Sequence, residues 1–135
     1  MAFFGLYGST GALATTLALS DVVSAVGIGF QRGSHTRWQL VTNDASGVPT
    51  LVDMGASFAI ATGGVLTLII AAVPNAGSVW VRVVDEVSGA VFEQEVTADL
   101  PAANQFLSPR LFLNNGATAA AVAFDCSGLY LETDF

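Results

Sequence analysis

The stretch SVWVRVVDEVSGAVFEQEVT, residues 78–97, decides the reading of the fold. Apolar and polar positions alternate through it with a period of two, placing Val79, Val81 and Val83 on one face of a strand and Trp80, Arg82 and Val84 on the other. Residues 86–89 supply turn chemistry, and residues 90–97 resume the alternation, so the segment predicts a β-hairpin. Paired in that way, Arg82 meets Glu93 or Glu95 across the ladder.

Working outward, the same signals recur in short segments. Residues 65–73 form a continuous aliphatic run between Gly63-Gly64 and the turn Pro74-Asn75-Ala76-Gly77, which suits a strand buried on both sides, in a sandwich core or against another subunit. Residues 37–42 read as a strand with Trp38, Leu40 and Thr42 on one face, and NDASG, residues 43–47, turns it onto residues 49–54. In residues 26–31, Val26, Ile28 and Phe30 point one way and Gly27 and Gly29 the other, so something bulky is expected against the glycine face. Residues 3–7 read as a strand leading into the turn at 8–11. Residues 13–19 leave helix and loop both open, with Ser20-Asp21 able to cap one turn to about Ser24. After a proline-containing connector at 100–108, strands are expected at 111–113, 118–124 and 129–133, tying the C-terminal end into a sheet or an assembly.

Many short strands with turn signals between them predict an all-β fold, an antiparallel β-sandwich or barrel with very little helix. No repeat or linker divides residues 1–135, so one domain is expected.

Of the 135 residues, 53% are hydrophobic and only 11% charged, with a mean hydropathy of +0.63 and no lysine. So little charge leaves a monomer of this size exposing large apolar patches, which points to a permanent oligomer. A membrane helix is not indicated, because the longest aliphatic run is about half the roughly 18 residues needed. A transmembrane barrel ranks low, since the strands are shorter than about ten residues and lack aromatic girdles. The opening MAFFGLYG has no basic region and reads as a strand rather than a secretory signal. A net charge of −7 with four arginines argues against nucleic acid binding.

Catalytic chemistry finds little support. One histidine, one cysteine and scattered acids offer no zinc spacing, and NDASG lacks the calcium-loop pattern, so no metal and no cofactor is assigned. Cys126 lies in a strand-like pattern and reads as a buried small hydrophobe. Glu93 and Glu95 share a strand face where paired carboxylates for glycoside cleavage would lie, but Arg82 supplies the plainer reading of an ion-paired, solvated face. Binding through loops is the more open prospect: Arg32, His35, Asn43, Asp44 and Asn75 are the candidate receptor or glycan contacts. Trp38, Trp80 and Tyr7 are the rings able to stack on a sugar, with Trp38, Trp80 and Phe135 read first as core or subunit-interface anchors.

The order GIGF, TRWQLVTNDASG, LVDMGASFAI, VWVRVVDEVSGAVFEQE and LSPRLFLNNGATAAAVAFDCSGLYLETDF, covering the chain from Gly27 onward, resembles the C-terminal β-sandwich domains of tailed-bacteriophage tail fibre, tail spike and virion appendage proteins. The resemblance implies a β-sandwich of jelly-roll or concanavalin-like type in a non-enzymatic virion structural protein. It would form a homotrimeric tip that contacts other virion proteins and a host cell-surface glycan or protein receptor. In such proteins the equivalent of residues 3–7 follows further strands and a long shaft, whereas this sequence starts at Met1, which implies a cut-out or separately translated tip. If the missing strands belonged to the sandwich, an edge would be left for a neighbouring chain to complete. The alternatives are a monomeric lectin-like carbohydrate-binding module and a polysaccharide depolymerase fragment acting through Glu93 or Glu95.

Overall fold

The computed structural model describes residues 1–8, 13–14, 16–73, 76–116, 121 and 123–132. Eight strands are ordered along the chain: β1 (Ala2–Tyr7), β2 (Ala25–Phe30), β3 (Gln39–Asn43), β4 (Thr50–Asp53), β5 (Leu66–Ala72), β6 (Val79–Asp85), β7 (Val91–Val96) and β8 (Ser108–Leu113). They form a five-stranded sheet in the order β4-β3-β2-β1-β8 and a three-stranded sheet β5-β6-β7, all neighbours antiparallel. The expected all-β sandwich is what the chain adopts. Consecutive strands stay within one sheet rather than alternating between the two as in a jelly roll. β8 then returns from beyond the second sheet to lie beside β1, a Greek-key closure.

The sheets stack through one apolar layer. Val26, Ile28 and Leu40 from the larger sheet meet Val81, Val83 and Val96 from the smaller, with Met54 and Phe58 filling the space between. The alternation read in residues 78–97 is the physical cause, since Val81 and Val83 face this layer while Trp80 and Arg82 face out. Arg82 and Glu93 are register partners, and Arg82 Nη1 donates to Glu93 Oε1 at 2.8 Å. Trp38 anchors the same layer: it is half-buried, its ring meets Phe30 edge-on at 4.8 Å, and its amide donates to the Phe58 carbonyl.

The larger sheet also buries its outer face. Phe3, Tyr7, Ala25 and Val41 pack there beneath Leu13, Leu17, Leu19 and Val22. The expected bulky partner of the glycine face is therefore found: a Cβ on Gly29 would meet Leu19 Cδ1 at 2.8 Å, and one on Gly27 would meet Phe3 Cζ at 3.0 Å. The helix left open over residues 13–19 does not form in the described part of that segment. Only a 3-10 turn at Leu19–Asp21 is present, with Asp21 Oδ2 accepting from the Ala18 amide at 2.9 Å. Leu17, Leu19 and Val22 must all face the sheet, and an extended strap achieves that where a helix would rotate some of them away.

Three expectations need correction. β5 is an edge strand with one covered face, because Leu66, Leu68 and Ile70 point inward while Val65, Ile69 and Val73 are exposed; an all-aliphatic run hides its facing. β1 itself is paired on both sides, by β2 and by β8. The C-terminal strands expected at 118–124 and 129–133 are not found at the described positions among them, which are exposed and unpaired; part of each stretch lies outside the described residues. A strand requires a neighbour for its amides and carbonyls, and the described residues of this segment have none. Cys126 is accordingly exposed rather than buried, its thiol near the Gly128 carbonyl at 3.4 Å.

Candidate functional site: an open cleft at the β2–β3 turn

The β2–β3 connection folds into a tight turn around Gln31. The Gln31 carbonyl accepts from the Ser34 and His35 amides at 3.0 and 2.9 Å, and the Gln31 amide donates to His35 Nδ1 at 3.1 Å. Gly33, with φ of +96° and open space around it, lets the chain reverse. Gln31 Oε1 in turn accepts from the Leu19 amide at 3.1 Å, fastening the turn to the strap on the outer face.

A second segment closes the far wall. The Ile60 amide donates to the Thr36 carbonyl at 3.1 Å, and Arg37 bridges Ala59. Between them lies an open cleft of about 290 Å³ lined by Arg32, Gly33, Ser34, His35, Thr36 and Ile60. Its lining thus combines an arginine, a histidine and two hydroxyl residues with one large apolar residue. Because His35 Nδ1 accepts an amide proton, the neutral ring carries its own proton on Nε2 and has a donor to offer.

Two of the residues singled out in the sequence, Arg32 and His35, are brought together here. The other loop candidates are not. Asn43 is fully buried (0% exposed) and donates through Nδ2 to the Val22 carbonyl at 2.7 Å, so it holds the strap to the sheet. Its place as the last residue of β3, ahead of the turn, explains the difference. Asp44 is half-buried, and its Oδ1 accepts from the Ser46 amide at 2.7 Å, a local turn bond. Asn75 and Phe135 lie outside the described residues. Ser34, Thr36 and Ile60 join them in the lining, and no local signal in the sequence brings residue 60 beside residues 32–36.

The β3–β4 turn is clasped from outside by Asp99. Its Oδ1 accepts from the Asp44 amide at 3.1 Å and its Oδ2 from the Thr50 amide at 2.8 Å. Burial pushes this carboxyl upward, but the bonds from the Thr50 hydroxyl and from the Asp44 and Thr50 amides outweigh it and hold it below its ordinary value. Asp85 is likewise held low by the Ser88 and Val87 amides at the β6–β7 turn. Both carboxylates act on turns.

On the outer face of the smaller sheet, Trp80 is 52% exposed, with Ala71 and Glu95 as its register partners and the Arg82–Glu93 pair alongside. Trp80 is therefore not a core anchor. Glu93 is engaged by Arg82, and Glu95 lies opposite Trp80. Among the described residues no three His, Cys, Asp or Glu side chains gather as a metal site, and no helix is long and apolar enough to cross a membrane. Compared with family models, with curated proteins and with solved structures, the chain gives no match.

Proposed function

We propose that the chain is a non-enzymatic structural subunit of a tailed-phage virion, a homotrimeric tail-fibre or appendage tip that contributes to host attachment. The observation that carries this reading is the C-terminal segment. Leu129, Tyr130 and Leu131 border a gap between the two sheets together with Phe4, Leu6, Leu68, Ile70 and Pro109, yet Leu129 stays 65% and Tyr130 81% exposed. An apolar run that borders a core without being buried by it is unfavourable in water and favours cover from another chain. Val65, Ile69, Val91 and Leu111 add further exposed apolar surface on the strands and their flanks. The resemblance of the segment from Leu107 onward to appendage domains supplies the virion and the three-fold expectation. Light scattering across a hundredfold dilution tests it: a trimer that persists supports the reading, and a stable monomer overturns it.

A second reading rests on Trp80, a half-exposed indole near the start of the central strand of the smaller sheet. A monomeric lectin-like module would use such a ring to stack on a sugar face, and its glycan affinity would survive dilution.

A further inference from the structure

We infer that the cleft between the β2–β3 turn and Ile60 binds a carboxylate-bearing sugar, with Arg32 as the anion contact. The argument begins with charge. The chain carries four arginines and no lysine against eleven acidic residues. Arg37 is paired with Asp53 at 3.3 Å, Arg82 is paired with Glu93 at 2.8 Å, and Arg110 also has a partner. Among the described residues Arg32 is the arginine without one. It stands exposed on the wall of the cleft.

The surroundings of Arg32 match an acidic sugar rather than a bare ion. A guanidinium presents parallel donors that fit a carboxylate two-point. The His35 Nε2 proton and the Ser34 and Thr36 hydroxyls are further hydrogen-bonding groups along the same wall, suited to ring hydroxyls, and Ile60 is an apolar surface for a sugar's C–H face. About 290 Å³ is room for one sugar unit. The walls are fixed before anything binds: the Ser34 and His35 amides and His35 Nδ1 are tied to Gln31, and Thr36 is tied to Ile60. A preformed site loses less ordering entropy on binding. The overall negative charge repels long polyanions, so the fitting ligand is a single acidic unit within an otherwise neutral glycan.

The inference rests on the attachment reading for the source of the glycan, but the two fail separately, because solution mass does not depend on the cleft. The test is amide chemical-shift titration of the full chain with glucuronate, glucose and inorganic phosphate. Expected are saturable shifts confined to residues 31–36 and 59–60 with glucuronate, half-saturating on the order of 1 mM and weakening with added salt. Arg32→Gln should lower the affinity at least about tenfold, and Arg32→Lys should restore it only in part, since the charge returns without the two-point fork. The Arg32 side chain makes no hydrogen bond or ion pair among the described residues, so both variants should keep the parent spectrum elsewhere. Equal shifts with glucose overturn the role of the carboxylate. Equal shifts with phosphate alone reduce the cleft to a general anion site and overturn the sugar assignment. Absence of local shifts, or indifference to Arg32→Gln, overturns the inference entirely.

Discussion

Gly5 and Gly27 stand directly opposite each other in the β1–β2 register, so close that a Cβ on Gly5 would come within 2.5 Å of the Gly27 Cα. This approach, at the middle of the larger sheet, leaves room for Phe3 on the outer face, as Gly29 does for Leu19. Two glycines in register do what neither achieves alone. A side chain on either one forces the strands apart.

Gly27→Ala is therefore expected to destabilise the fold by about 2 kcal/mol or more, because the added methyl meets the Phe4 carbonyl and, at 2.8 Å, the Gly5 Cα, neither of which is a movable side-chain end. Gly64→Ala, where the nearest neighbour is the Ala61 carbonyl at 3.6 Å, should stay within about 0.5 kcal/mol of the parent. Urea midpoints of the two variants measure the contrast. Similar midpoints would mean that the strands relax around the new methyl.

The exposed C-terminal leucines carry the second expectation. Leu129→Ser with Leu131→Ser removes two exposed apolar side chains that belong to no strand ladder. Each leucine buried against a neighbouring chain would contribute about 1.5–3 kcal/mol, so the double variant should dissociate the oligomer at concentrations where the parent holds together. Circular dichroism should remain β-type throughout. An unchanged solution mass would take this segment out of the interface.

Trp80 and Glu93 separate the remaining readings. Trp80→Ala should abolish glycan affinity if the outer face of the smaller sheet is the binding surface, and should leave binding at Arg32 untouched if the cleft is. Glu93→Gln breaks an ion pair whose two side chains are about half exposed, so a stability loss of no more than about 1 kcal/mol is expected. Loss of polysaccharide cleavage in that variant, measured on a purified capsule polymer, would instead establish the depolymerase reading.

Much of this architecture is legible in the sequence because the strands alternate. The hairpin at residues 78–97, the glycine face of β2 and the Trp38 anchor follow from a period of two and from turn residues. The facing of β5 is not legible, since aliphatic side chains occur on both of its faces, Leu66, Leu68 and Ile70 on one and Ile69 and Ala71 on the other, and only the stacking of the sheets reveals which is covered. Nor is the state of residues 123–132, whose strand-like pattern describes a propensity that one chain does not satisfy. The cleft was half legible: Arg32 and His35 lie in one short turn, whereas Ile60 arrives through a bridge between Arg37 and Ala59 that no local pattern announces.

Asp99 sets the expected pH dependence. Its carboxyl is held below the ordinary value of 3.8, so the ionised form is favoured more in the folded than in the unfolded chain. The stability it contributes is therefore fully present above that value and is lost as pH falls through the lower, folded-state value. Asp85 adds a loss of the same sign at the β6–β7 turn. Asp99→Asn separates the two, because asparagine tolerates the left-handed backbone at this position, where φ is +54°, while lacking the charge that strengthens the bonds to the Asp44 and Thr50 amides. The variant is expected to lose about 1–2 kcal/mol at neutral pH and to show a shallower decline between neutral pH and the acid end. Thermal unfolding followed at a series of pH values measures both effects. A parallel decline in parent and variant would show that Asp99 closes the β3–β4 turn without its charge.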